Sequence, residues 1–518
     1  LTTHRRAWLH GQVAQALEQL HPHQLDEQAA ILVHHFERAG QSKVAFRYLI
    51  RAGDWARATY ATREALDHYN QALNLCRQYH DLSGAAITTD LLERRALTFL
   101  ALSDFDAAIA DLERLLDLNQ GAGDLARKGE ALYQLGIAHY WAHRLAKASA
   151  YLDQALQLAQ ETNAHDLHAK SLKLRDILDS TQGNVRPEAA AEGRISADTL
   201  HDLPAEEHWG RAMLAHLRSD FDTAIYHARA CIDLGQSLAN TFLTLGGYFV
   251  WGMSQASCGD YQHALKNLTY ALDLSATTED RFWRARLLNT IGWIHRELFD
   301  LPQAIQFDKA SLTLARSGAP RLTEAEGNAL ANLATDYLLL ADYDRVRAYL
   351  AEGLTPSSDE PFMRWRYHTR MIVIKGRLAL VDGDVESALA AADEALAIAR
   401  ETQARKNISR SCRLRGEAFL AGGEPDRARA ALRHALSIGV GLQSPSLIWP
   451  CHITLAHLET KAGHLETAQT HYVDAADLLY NIANRLTDPA LFQPFLAASP
   501  VQEIFSNAIC PLPLSSGA

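Results

Sequence analysis

No apolar run in this 518-residue chain approaches the roughly 18–20 residues that a membrane span requires. No signal peptide opens it, and its first residue is Leu1 rather than methionine, so a piece of something longer is expected. Cysteine is scarce. Cys76, Cys231, Cys258, Cys412, Cys451 and Cys510 are scattered without a CxxC pair, which argues against a disulfide framework. Thiols used as small core residues in a reducing compartment are expected instead, and with them a cytoplasmic location. An excess of positive charge is missing too. The formal net charge is −11, the wrong balance for wrapping duplex DNA, so direct nucleic-acid binding and membrane association are not expected, although a local basic patch stays open.

Signatures of catalysis are also missing. There is no G-x-x-x-x-G-K-[ST], so no P-loop ATPase lies within the chain, no G-x-S-x-G, and no Cys/His arrangement of family spacing. Twenty-four histidines invite a search for metal. His139 and His143, in "HYWAH", are four apart but lack the glutamate of H-E-x-x-H and a third ligand; His34 and His35 point to different faces. The expectation is a chain without enzymatic activity, cofactor or metal.

What the chain does have is a core-forming composition, 48% hydrophobic, arranged in a repeat. The length alone would suggest three or four domains, but internal repetition overrides that count. A small residue marks the middle of each apolar helix: Ala96, Gly136, Ala212, Gly252, Gly292, Ala334, Gly376, Gly416 and Ala456, spaced 40, 76, 40, 40, 42, 42, 40 and 40. Eight residues beyond each lies a turn position (Asp104, Arg144, Asp220, Asp260, Asp300, Asp342, Asp384, Glu424, His464), and four further on another small residue. Gly53, Ala65 and Ala72 obey the same offsets. The wide gap holds one degenerate unit near 165–200, which makes about eleven helical hairpins. Gly and Ala at these places let helices approach closely, and each hairpin leaves an apolar face that only the next can cover. The competing reading, a generic bundle with alanine-rich interfaces, gives no reason for a fixed period.

"LYQLGIAH" (132–139), "LNTIGWIH" (288–295) and "LANLATDY" (330–337) resemble the first helix of a tetratricopeptide repeat, and "ALDHYNQAL" (65–73) and "ALKNLTYAL" (264–272) its second. The resemblance covers about 42–483 and implies an all-α, right-handed superhelical solenoid. It departs from the family in its period of about 40 instead of 34 and in lacking the repeat-end proline. Residues 26–73 resemble the junction in large bacterial STAND-type signalling ATPases, often transcriptional regulators, where an ATPase and winged-helix part passes into a tetratricopeptide sensor. Residues 1–41 are then expected to lead from that missing part. "TDPALFQPFLAASPVQEIF" offers Asp488 as an N-cap and Pro489 at the first helical position, so 484–510 is expected to cap the array and 511–518 to be a disordered tail.

In tetratricopeptide arrays the first helix of each hairpin lines the concave groove. Positions six and three before the mid-helix small residue, and one after it, share one stripe. The stripe begins acidic, passes through aromatics and methionines, and turns basic and amide-rich from Arg286 onward. Its candidate binding residues are Tyr133, Trp209, Arg286, Asn289, Trp293, Asn328, Arg366, Arg370, Arg377, Arg410 and Arg413. In "MRWRYHTRMIVIKGRL" (363–378), Arg366 extends the stripe by one turn, whereas Trp365 falls on the packing side. Guanidinium groups suit carboxylate or phosphate, and the amides suit peptide backbone or sugar hydroxyls. The expected occupant is a protein or peptide partner, or a small anionic effector. A mere solvent face remains the alternative. Two functions stay open: a sensor arm that reports occupancy to an upstream ATPase domain of the same polypeptide, and a scaffold that binds an acidic peptide without switching.

Overall fold

The computed structural model describes residues 2–59, 61–79, 82, 84–119, 123–183, 205–238, 240–278, 280–318, 321–355 and 363–513. Among the described residues there are 25 α-helices and no strand. Ten antiparallel hairpins have both helices described, from Ser42–Ala58 with Thr62–Gln78 to Pro445–Lys461 with Leu465–Ala483. The degenerate unit contributes the helix His165–Gln182; its part from 184 to 200 lies outside the described residues, as does 514–518 of the expected tail.

The small residues set the hairpin spacing. A Cβ added to Gly53, Gly136, Gly252 or Gly416 would lie 2.5, 2.9, 2.5 or 2.6 Å from Tyr69, Leu152, Leu268 or Leu432, in each case the side chain 16 residues later. On the second helices Ala65, Ala108, Ala148, Ala224, Ala264, Ala304, Ala388 and Ala428 are fully buried. Small therefore meets large across each hairpin, and every buried leucine contributes about 2 kcal/mol of apolar transfer.

The turns repeat as faithfully. The amide of each turn residue donates to the carbonyl five before it, as in Asp104 to Phe99 (2.9 Å), Asp300 to His295 (2.9 Å) and Asp384 to Ala379 (2.8 Å). The residue between them has positive φ, the helix-ending geometry of a Schellman motif. Glycine supplies that conformation at 259, 383, 423 and 463, but Ser103, His143, Ser219, Phe299 and Ala341 adopt it without glycine's freedom. Asp104, Asp220, Asp300, Asp342 and Asp384 then cap the next helix by accepting from the backbone N–H three residues on. Each such cap is worth about 1 kcal/mol.

The chain divides into two compact units, Leu1–Arg175 with Asp233–Thr244, and Asp176–Ile232 with Leu245–Ala518. In the first, the acidic rungs of the stripe are neutralised: Arg94 pairs with Asp54 and Asp90, Arg127 with Glu93, and Lys170 with Glu130. In the second, the stack curls until distant hairpins touch. Gln262 accepts from the backbone N–H groups of Thr487 (2.7 Å) and Asp488 (3.0 Å), and donates to the Thr487 hydroxyl at 2.7 Å. Phe299 packs near Trp449 and Phe495, and Lys406 donates to Ser257 at 2.8 Å. Asp488 accepts from the Ala490 amide and Pro489 opens the helix Pro489–Ala497. No helix among the described residues is long and apolar enough to cross a membrane.

Candidate ligand-binding site

The curl of the second unit encloses a cavity of about 140 Å³. Four consecutive first helices supply its wall from the same place in the repeat, six residues before the mid-helix small residue: Arg286, Asn328, Arg370 and Arg410. Asn289, Trp293 and Arg366 join them. Seven of the eleven stripe residues thus meet in one site.

The other four do not. Tyr133 belongs to the first unit, where Lys170 lies 4.8 Å over its ring. Trp209 is buried in packing against Gly246, which stands six before the mid-helix Gly252 of the next hairpin: a Cβ there would lie 2.7 Å from the indole nitrogen. Arg377 and Arg413 converge on Glu417 instead, at 3.4 and 2.7 Å. Burial pushes that carboxyl up, but the two guanidiniums outweigh it and hold it below the ordinary glutamate range.

Charge in the cavity is one-sided. Among the described residues its lining carries six cations, Arg286, Arg366, Arg370, Arg405, Lys406 and Arg410, against the single carboxylate of Glu324. That carboxylate is already engaged by the Arg286 guanidinium at 2.9 Å, with the Asn328 amide donating to it at 2.6 Å. Arg370 reaches only Asn328 (3.4 Å) and Asn332, Arg410 only Asn407 (3.5 Å), and Lys406 the Ser257 hydroxyl and the Phe221 ring face at 4.6 Å. None of these three has a carboxylate within ion-pair distance among the described residues. Burial and the neighbouring Arg410 and Arg366 bring Lys406 down to about 7, and burial and Arg296 bring Arg370 down to about 9. Both shifts come first from burial and then from the like charges alongside.

Beneath the wall lies a buried polar network. Asn332 donates to Asp308 (2.9 Å) and to the Asn289 backbone and side-chain oxygens (3.1 and 3.2 Å), and accepts from Arg370. Arg296 bonds Asp336 at 3.2 Å. Asp308 and Asp336 are wholly buried; burial and the facing Asp336 carboxylate raise Asp308 well above the usual range. The network fixes Arg370 through Asn332.

Sequence reasoning missed Lys406 and Trp365. Lys406 stands ten residues before Gly416, the same turn that Arg366 occupies before Gly376, so extending the stripe in one repeat but not in the next concealed it. Trp365 does pack, donating to the Thr181 carbonyl at 3.1 Å, yet it also lines the cavity. His143, four residues on from His139, sits past the end of that helix at φ 60°, while His139 stacks on Tyr151 at 5.2 Å.

No protein-family model matches this chain, and no curated protein matches it. Among solved structures it is similar to a Rap protein complexed with Competence and Sporulation Factor, at 15% identity over 70% of this chain and 99% of that one, with a TM-score of 0.53. That likeness shows the fold, a tetratricopeptide-type solenoid of helical hairpins. Looser likenesses are the Cut9–Hcn1 hetero-tetramer of APC/C (12% identity, 92% of this chain and 95% of that one, TM-score 0.38) and yeast Tom70 (14%, 96% and 98%, 0.33).

Proposed function

We propose that this chain is the non-enzymatic effector- or partner-binding region of a larger signalling or transcription-regulating ATPase, and that it recognises an anionic group in the cavity of its second unit. One observation carries the reading: among the described residues, six cations face a single, already paired carboxylate in a chain whose net charge is −11. A cavity of about 140 Å³ is near the size that accepts one benzene-sized guest, so it takes a small acid or one acidic side chain rather than a long extended segment. Trp293 and Trp365 offer flat apolar faces beside the cations. The resemblance of residues 26–73 to a STAND-type junction supports the wider setting, in which 1–41 connects to an upstream ATPase and 484–510 caps the array. Because hairpins meet across the curl, an occupant that favours one curvature shifts the whole stack, and it does so only by its difference in affinity between curvatures.

The test is thermal stabilisation of the chain by inorganic phosphate, by citrate and by a glutamate-rich peptide. At least one should stabilise wild type in a saturable way, and Arg370→Ala combined with Arg410→Ala should remove the effect. Equal stabilisation of the double variant would refute the site. The wider setting is tested separately by the full-length gene product, which should encode a P-loop domain upstream.

A further inference from the structure

A second cluster of chemistry lies outside the cavity, on the last hairpin of the array. His452, on the helix Pro445–Lys461, and His471, on Leu465–Ala483, face each other with their Nδ1 atoms 3.1 Å apart. Asp474, one turn beyond His471, brings a carboxylate oxygen to 3.5 Å from the same His452 nitrogen. The three donor atoms all lie within 4.8 Å of one another. We propose that His452, His471 and Asp474 form a binding site for a divalent transition-metal ion, of which Zn²⁺ is the best-suited class.

Geometry supports this first. With zinc–nitrogen bonds of about 2.0–2.1 Å, tetrahedral coordination places two nitrogens ~3.3 Å apart, close to the separation seen here. Two imidazoles and one carboxylate make a mixed set that suits zinc, and they leave a fourth position for water. Without metal, the same contact is a hydrogen bond in which one ring donates to the other. Access is the second point. His452 is buried, whereas Asp474 is about half exposed, so an ion enters from the Asp474 side. Arg433 is the nearby cation that the site has to tolerate.

The repeat supplies an internal comparison. His208 and His227 occupy the same places around Ala212 that His452 and His471 occupy around Ala456, four before and fifteen after. Their Nδ1 atoms are 2.9 Å apart. Three residues beyond the second histidine, however, stands Ala230 where the other hairpin has Asp474. The two hairpins therefore share the pair and differ in the third ligand.

The experiment is Zn²⁺ titration of the whole chain against a chromophoric chelator, with Co²⁺ absorption to report coordination. The variants are Asp474→Asn and His471→Asn, at positions not fully buried, each checked for helicity, with His227→Asn as the control. The expected result is one tight equivalent with a tetrahedral Co²⁺ spectrum in wild type, weakening by about 10-fold or more in Asp474→Asn, loss in His471→Asn, and no change in His227→Asn. A wild-type chain that binds no stoichiometric zinc would overturn the proposal. So would full binding in both ligand variants, or loss of the tight equivalent in His227→Asn alone.

Discussion

The carboxyl of Asp308 fills the space in which a side chain on Gly292 would begin: a Cβ built there stands 2.7 Å from Oδ2. At the same offset of 16 residues the hairpins of Gly136, Gly252 and Gly416 carry Leu152, Leu268 and Leu432. Asp308 is thus a carboxylic acid in a leucine's place, and it is the point from which Asn332 and Arg370 are held. Asp308→Leu should lower stability by about 1–3 kcal/mol, because it removes one member of the buried network and strips Asn332 and Asp336 of a partner. It should weaken anion binding several-fold by freeing Asn332. Chemical denaturation and ligand titration of the one variant separate the two effects. The pH dependence has a definite sign. Burial raises Asp308 above its unfolded value, so stability falls as pH rises above about 4, and this fall should be smaller in Asp308→Leu, where the raised Asp336 remains.

His139 contributes with the opposite sign. Burial, followed by the nearby cations Arg144 and Lys147, lowers it to about 4. Its stabilising contribution is therefore complete above the ordinary histidine range and is lost as pH falls from about 6.5 toward 4. His139→Phe keeps the stack on Tyr151 and removes the proton. It should gain about 2 kcal/mol relative to wild type at pH 4.5 and much less at pH 7.5, read from urea midpoints at the two pH values.

Lys406 should make ligand binding depend on pH. Near 7, with Arg410, Arg366 and the Cys258 thiol as its charged and titratable surroundings, it is protonated below neutrality and progressively neutral above it. Affinity for phosphate or citrate should fall by up to about 10-fold per pH unit between pH 7 and 8.5. Lys406→Met should bind more weakly at pH 6.5 and show a flatter profile. An unchanged profile in the variant would remove Lys406 from the receptor.

Ala341 ends its helix at φ 56° and is exposed. An L-residue held there carries about 1 kcal/mol of conformational cost that glycine does not. Ala341→Gly should raise the midpoint of thermal unfolding by about 1 °C, and Phe299→Gly should not, because Phe299 packs near Trp449 and Phe495.

Much of the fold was legible because a solenoid writes its contacts at fixed offsets. The small residue, the turn residue eight later and the alanine twelve later recur, and each recurs for a local reason of close approach, helix ending or capping. The stripe was legible in part. Arg286, Asn328, Arg370 and Arg410 share one repeat position and one cavity, and the sequence order alone aligned them. The pairing of Arg413 with Glu417, four residues on along one helix, was open to the sequence; that Arg377 would reach Glu417 from the preceding hairpin was not.

Sequence by itself determined the class of fold, the hairpin period and the basic end of one helical face, because these follow from side-chain size and charge at set spacings along one chain. Only the tertiary structure decided which cations gather in the cavity, that Trp365 reaches it while Trp209 is core, and that His452 meets His471. The first two depend on how the second unit curls and the third on how the two helices of one hairpin face each other, and neither is encoded in the spacing within any single helix.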